Sequence, residues 1–354
     1  MRSHAKTIII FLSGIASLAV SQTAPDLLTA LRQSGASRFA DRLAADTETL
    51  NVFLTVAQTV FAPSDLTASP GILQERALSP LAQQQARLQA CGQESRIAQQ
   101  SMTLPGSTIP TLDNSGKLNG APQRVVIDNR PTNTTNPTRR WDSFGVLKRQ
   151  SIAPGSLRIS SGLGRITNVV KANIPFDKGV IHVIDDYFTL PQPLSTTTQL
   201  LGQTAFASLA SSSNLTAKLD NTQSVTLFLP SNTALSSSNN LTASEKSQLV
   251  SNHIVPGFVG YLPDLVDGAA LISQTGEALT IKIRDGFYYV NDARITQANI
   301  ILDGGVAHII DRPLTPKGVP QPPKVPTSGS LPNQKTNMAL TAGLAGIVGL
   351  FALF

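Results

Sequence analysis

The heptapeptide GVIHVID at Gly179–Asp185 recurs as GVAHIID at Gly305–Asp311, 126 positions later. The match extends upstream: KANIPFDKGVIHVID (171–185) and QANIILDGGVAHIID (297–311) agree at nine of fifteen positions. A second pair recurs at a different offset, 167, where TVFAPSD (Thr59–Asp65) faces TLFLPSN (Thr226–Asn232). Two blocks repeated in the same order make the chain a tandem duplication. The offsets differ by 41, so the first copy carries that many extra residues between its blocks. Part of the excess is DNRPTNTTNPTRRWDSFGVLKRQSIAPGS (128–156), rich in Pro, Asn, Thr and Ser and without helical or strand period; it is expected to be a long exposed loop.

Each copy reads as helices followed by strands, an α+β pattern. PDLLTALRQSG sets Leu27, Leu28 and Leu31 on one helical face, with Gly35 as the stop. Thr242 followed by Glu245 forms a capping box before another helix. LTIKIRDGFYYVND is two strands around Asp285-Gly286, the turn dipeptide suited to a two-residue hairpin. In the GVxHxID strands Val180, His182 and Ile184 share one face, and Ile181, Val183 and Asp185 the other. A histidine between branched apolar neighbours is expected to be structural, and its recurrence without a second base or ligand in the motif supports that reading.

The ends carry processing grammar. Met1–Ser21 has basic Arg2 and Lys6, an apolar run and Ala19-Val20-Ser21, a secretory signal pattern. Ser328-Gly329-Ser330, a polar spacer and seventeen uncharged residues, Met338–Phe354, match a glycosylphosphatidylinositol anchor signal with Ser328 as candidate attachment residue; a retained membrane helix is the alternative. Removing Arg2, Lys6 and Lys335 lowers the formal charge from +6 to +3, too little for nucleic acid. Cys91 is alone, so no intrachain disulfide forms, and it reads as a packing residue. Asn133, Asn214 and Asn240 head N-glycosylation sequons.

The paired blocks, together with NHIVPG (252–257), resemble the fasciclin family of extracellular adhesion domains in its fungal surface form. The resemblance spans about residues 24–316 and implies, for each copy, a wedge-shaped β-sandwich of about seven strands with packed helices. The motif residues it singles out are Pro63, Asp65, His182 and Asp185 in the first copy, and Pro230, Asn232, His253, His308 and Asp311 in the second. The first copy has LQACGQESRIAQQ where a middle histidine is expected, and Lys178 and Gly304 stand where the family places asparagine. The expected organisation is a signal peptide (1–21), a first domain (24–194), a second domain (195–316), a proline-rich stalk (317–328) and an anchor signal (329–354).

No nucleophile elbow, zinc helix, phosphate loop or dinucleotide fingerprint is present. SGLGRIT (161–167) lacks the third glycine, and Asp185-Asp186 points to opposite strand faces. The expected function is non-enzymatic and cofactor-free: adhesion or matrix organisation at the cell surface or wall, through a surface protein or glycan partner, with membrane attachment by the lipid anchor. A polysaccharide- or small-ligand-binding module is the alternative, or a vacuolar or endosomal tether if the C-terminal segment is retained.

Overall fold

The computed structural model describes residues 24–67, 79–96, 105–128, 139–141, 147–149, 157–236 and 241–315. The signal peptide, stalk and anchor signal, with Asn133, Asn240 and Ser328, lie outside the described residues.

The first copy runs α1 (Leu27–Ser34), α2 (Ser37–Ala45), α3 (Thr47–Val56), β1 (Thr59–Pro63), α4 (Pro80–Leu88), β2 (Ala90–Cys91), β3 (Ser107–Pro110), β4 (Arg124–Asp128), β5 (Arg139–Trp141), β6 (Leu147–Arg149), β7 (Arg158–Ser160), β8 (Ile166–Phe176) and β9 (Gly179–Ile184). The second runs α5 (Leu194–Leu200), α6 (Thr204–Ser212), α7 (Thr216–Asp220), β10 (Val225–Pro230), α8 (Ala243–Asn252), β11 (Ile254–Pro256), β12 (Ala270–Ile272), β13 (Ala278–Arg284), β14 (Phe287–Val290), β15 (Ala293–Leu302) and β16 (Gly305–Ile310). Each copy builds a seven-stranded sheet of the same order, β2-β1-β9-β8-β7-β4-β3 and β11-β10-β16-β15-β14-β13-β12. The α+β class follows.

Local signals act where the sequence puts them. Asp26 caps α1, and Gly35 ends it at φ 90°, the left-handed region that costs glycine little. Thr242 and Glu245 form both bonds of the capping box on α8. Asp285 and Gly286 both take positive φ in the β13–β14 turn, as a type I′ hairpin requires.

The repeated blocks prove to be neighbours. β1 lies parallel to β9, with Phe61 opposite His182, and β10 lies parallel to β16, with Phe228 opposite His308. These central strands are buried on both faces. In the first copy Ile181 and Val183 join the helices in one core, while Phe61 and Ile184 meet Ile109, Val125 and Ile159 in a second core inside the curled sheet. The glycine that opens each block is there because the neighbouring strand is close. A Cβ on Gly179 would stand 1.9 Å from the Gln58 carbonyl oxygen, and one on Gly305 1.9 Å from that of Val225.

The extra residues of the first copy fall mainly in two places. Residues 129–157 connect β4 to β7, where the second copy needs only Asp285-Gly286. Within this stretch, expected to be strandless, β5 and β6 pair antiparallel; three-residue strands are too short to leave a period. Arg158 closes the base of the stretch through Nε and Nη2, 3.2 and 2.8 Å from Oδ1 of buried Asp128. The other insertion, 111–123 between β3 and β4, replaces a five-residue link (273–277) and docks on the second copy. Lys117 N–H donates to Asp303 O (2.6 Å), its carbonyl accepts from Ser224 N–H (3.2 Å), and its ammonium reaches Asp303 Oδ2 (3.1 Å) and Asp220 O (2.5 Å). Gln123 Nε2 donates to Asp303 O (3.1 Å). Val126, Tyr261, Ile301 and Val306 form an apolar cluster across the seam.

Candidate functional site

His182, His253 and His308 are fully buried, and each has both ring nitrogens engaged by backbone. His182 Nδ1 accepts from Asn173 N–H (3.2 Å) and Nε2 donates to Ser95 O (2.9 Å). His308 repeats this with Asn299 N–H (3.4 Å) and Gly260 O (2.8 Å). One bond as acceptor and one as donor fixes the neutral tautomer. Asn173 and Asn299 offer their N–H from left-handed backbone, φ 59° and 60°, at irregular points of β8 and β15; asparagine tolerates that conformation better than other side-chain-bearing residues. Phe61 stacks on His182 at 5.3 Å and Phe228 on His308 at 5.8 Å. Burial lowers the His182 pKa to about 4 against the opposing pull of its bond to Ser95.

His253 caps α8 with the opposite tautomer. Nδ1 donates to Leu249 O (2.7 Å) and Nε2 accepts from Leu314 N–H (2.8 Å). Burial lowers its pKa to about 4 as well, opposed by the Leu249 bond.

The first copy replaces this histidine rather than losing it. Cys91 pairs with Thr59 as Val255 pairs with Thr226, so Gln89 occupies the place of His253. Gln89 O accepts from Phe61 N–H (2.8 Å) as His253 O does from Phe228 N–H (3.0 Å). Gln89 Oε1 then accepts from Phe188 N–H (3.1 Å), the counterpart of Leu314 N–H. The Phe188 carbonyl is held by Gln85 (3.1 Å), the Leu314 carbonyl by Asn252 (2.8 Å). The sequence signal for Gln89 was a third offset, 164, hidden by a net three-residue difference between the first block and this point. Cys91 sits in the inner core where the second copy has Val255, and burial raises its thiol pKa.

The remaining motif residues join backbone segments. Asp65 accepts from Ser37 and Arg38 N–H (2.9 and 2.8 Å) at the start of α2, and Asn232 accepts from Ala205 N–H (3.0 Å) at the start of α6. Burial raises the Asp65 pKa, but these N–H bonds outweigh it and the net shift is downward. Asp185 Oδ1 accepts from Asn168 N–H (2.8 Å), and Asp311 Oδ1 from Arg294 N–H (2.9 Å). Pro63 and Pro230 end β1 and β10. Asp186 accepts from Tyr187 N–H (2.9 Å), apart from the bonds of Asp185.

Surface presentation is uneven. Of NHIVPG only Pro256 and Gly257 are exposed, so this motif offers a partner no more than a turn. Asn214 is exposed in the link between α6 and α7. Val266, Ile272 and Phe287 are exposed apolar residues of the second copy, and Arg294 stacks over Phe287 at 3.8 Å. Among the described residues there is no cluster of three His, Cys, Asp or Glu able to hold a metal, and no helix long and apolar enough to cross a membrane.

The fasciclin domain family model matches residues 202–316. The chain is 39% identical over 189 residues to the fasciclin-like arabinogalactan protein CTB11 of Cercospora beticola, covering 51% of this chain and 50% of that one. It is 30% identical over 245 residues to a fasciclin-like arabinogalactan protein of Arthroderma benhamiae, covering 67% and 57%. The chain thus spans about half the length of the curated relatives it matches. A solved fasciclin domain pair from the insect cell adhesion molecule fasciclin I overlays at 16% identity and TM-score 0.37, covering 80% of this chain and 98% of that one.

Proposed function

The chain belongs to the fasciclin family through the domain at residues 202–316, and on that premise we propose that it is a non-enzymatic surface protein that mediates adhesion or organises the extracellular matrix. The observation that carries this reading is where the repeated polar residues go. Both histidines that the two blocks share, and the aspartates that close those blocks, are bonded to backbone inside their own copy. A general base needs reach to a proton on a bound substrate, and a ring with both nitrogens buried in main-chain bonds has none. Contact with a partner is left to exposed surface held on a rigid frame.

The seam at Lys117 supports a pair that presents its surface as one body, since backbone bonds join the copies directly. In this reading the N-terminal segment directs secretion, the C-terminal segment is exchanged for a lipid, and Asn133, Asn214 and Asn240 carry glycans. The partner is a surface or wall protein or glycan.

The test compares attachment of cells lacking the protein, cells expressing it whole, and cells expressing a form truncated after Ser328. Attachment is expected to fall in the null cells, return with the whole chain, and stay low with the truncated, released form. Unchanged attachment in the null cells overturns the adhesion reading. Recovery of the mature chain with Phe354 still present, read by mass spectrometry, overturns the lipid anchor.

A further inference from the structure

The helical layers of the two copies differ in a way the sheets do not. Offset 167 holds without a gap from Pro25 to Asp65, and the structure keeps it: Asp177 N–H bonds Pro25 O and Asp303 N–H bonds Gln192 O. Along this alignment Leu28, Leu31, Leu43 and Phe53 become Ser195, Thr198, Ala210 and Asp220. In the first copy these four belong to or pack on the helical core, with Phe53 fully buried and edge-on to Phe39 at 6.1 Å. In the second copy the same four replacements line a cleft of about 340 Å³ between α5, α6 and α7, with Phe206 and Leu219 among the apolar walls. α7 has five residues where α3 has ten.

Unfilled large-to-small changes destabilise a core through the lost apolar contact and the cavity left behind. Four in one place, with the surrounding helices still standing, mark a space that is kept. Its chemistry is specific. No lysine, arginine or histidine lines it among the described residues. Asp220 Oδ1 accepts from Ser195 N–H (2.9 Å) and Oδ2 from Ser195 Oγ–H (2.6 Å). Each carboxylate oxygen keeps a further lone pair, and so does Ser195 Oγ, so the polar side is rich in acceptors. An anion is repelled there. Both oxygens of the Asp220 carboxylate are already held by Ser195, which leaves single lone pairs suited to a hydroxyl donor. The volume lies at the small end of the range for small-molecule sites, about 300–1,000 Å³.

We propose that this cleft binds a small neutral alcohol with a compact apolar body. The hydroxyl donates to the Asp220–Ser195 pair, and the body lies against the walls opened by Thr198 and Ala210. This site is independent of the adhesion reading, and either can fail alone.

The full chain is titrated with cyclohexanol, cyclohexylamine and cyclohexanecarboxylate, and binding is read by saturation-transfer NMR and by the shift in melting temperature. Cyclohexanol is expected to bind at millimolar concentration and the other two at least tenfold more weakly. Thr198→Leu and, separately, Ala210→Leu restore first-copy bulk; each is expected to abolish the cyclohexanol signal with melting temperature kept or raised. Using two refilling variants guards against misfolding of one. Absence of cyclohexanol binding, equal binding of all three probes, preference for the amine, or binding untouched in a folded refilling variant overturns the proposal.

Discussion

The two copies keep their central strands alike and let their helices diverge. At the sheet, residue identity changes while the bond survives: Gln89 does for Phe188 what His253 does for Leu314, and Gln85 and Asn252 hold the matching carbonyls from different positions on α4 and α8. At the helices the contact itself is given up, four bulky side chains against four small or polar ones. A buried amide or carbonyl must find a partner or cost about 1–3 kcal/mol, so duplication tolerates any side chain that reaches it. An apolar wall has no such demand on direction, and can be hollowed by degrees.

The sharpest asymmetry should come from a buried ion pair that, among the described residues, only the first copy has. Asp128→Ala leaves the Arg158 guanidinium buried without its carboxylate, a loss of about 3–5 kcal/mol. Denaturant melts should show the first copy unfolding early; a shift confined to the second copy would break the assignment. The opposite expectation holds for the block glycines. Gly179→Ala and Gly305→Ala should each cost about 3 kcal/mol or more, because the new methyl meets a backbone oxygen that cannot yield. Unequal losses by more than 1 kcal/mol or so, the scatter of single-site effects, would show that the two central pairs are less alike than their registers.

Acid tests the histidines. An unfolded histidine titrates near 6.5, while His182 and His253 titrate at about 4 when folded. Between these values the unfolded chain binds more protons. Stability is therefore complete above about pH 6.5 and falls as pH drops toward 4, by roughly 3 kcal/mol for each of the two. His253→Gln should remove one share of that slope from the second copy and leave the first copy's share intact, measured as melting temperature against pH. At neutral pH the same substitution is a milder change, about 1 kcal/mol, because glutamine keeps the acceptor for Leu314 N–H and gives up the donor to Leu249 O. A loss above 3 kcal/mol would mean that Gln89 is not an equivalent residue.

The sheet was readable in the sequence because its demands are local and repeated. Alternation, the Asp285-Gly286 turn and the capping box at Thr242 each need only a few neighbours. The parallel pairing of the two blocks was not readable, since nothing in either block names a strand that lies 121 residues away in the first copy and 80 in the second. Gln89 was missed because a search for histidine looks for a residue type, whereas the fold requires only an acceptor at that point. The seam was hidden in an insertion whose composition resembles any loop, and Lys117 acquires meaning only when Asp303 arrives beside it. The cleft was in view all along as four unmatched positions at a constant offset. It became a site only when the helices placed them together.

The position of β16 bears on how the pair would carry a load. The strand lies between β10, running parallel, and β15, running antiparallel, and the chain continues from its end toward Thr315. Tension applied beyond that point first loads the Leu314 bonds to His253 and Asn252 and then pulls β16 along its own axis. Its hydrogen bonds to both neighbours are then strained together in shear, rather than one after another as in the peeling of an edge strand. A domain that holds fast to something outside while tethered through this end would meet force with its whole central ladder at once.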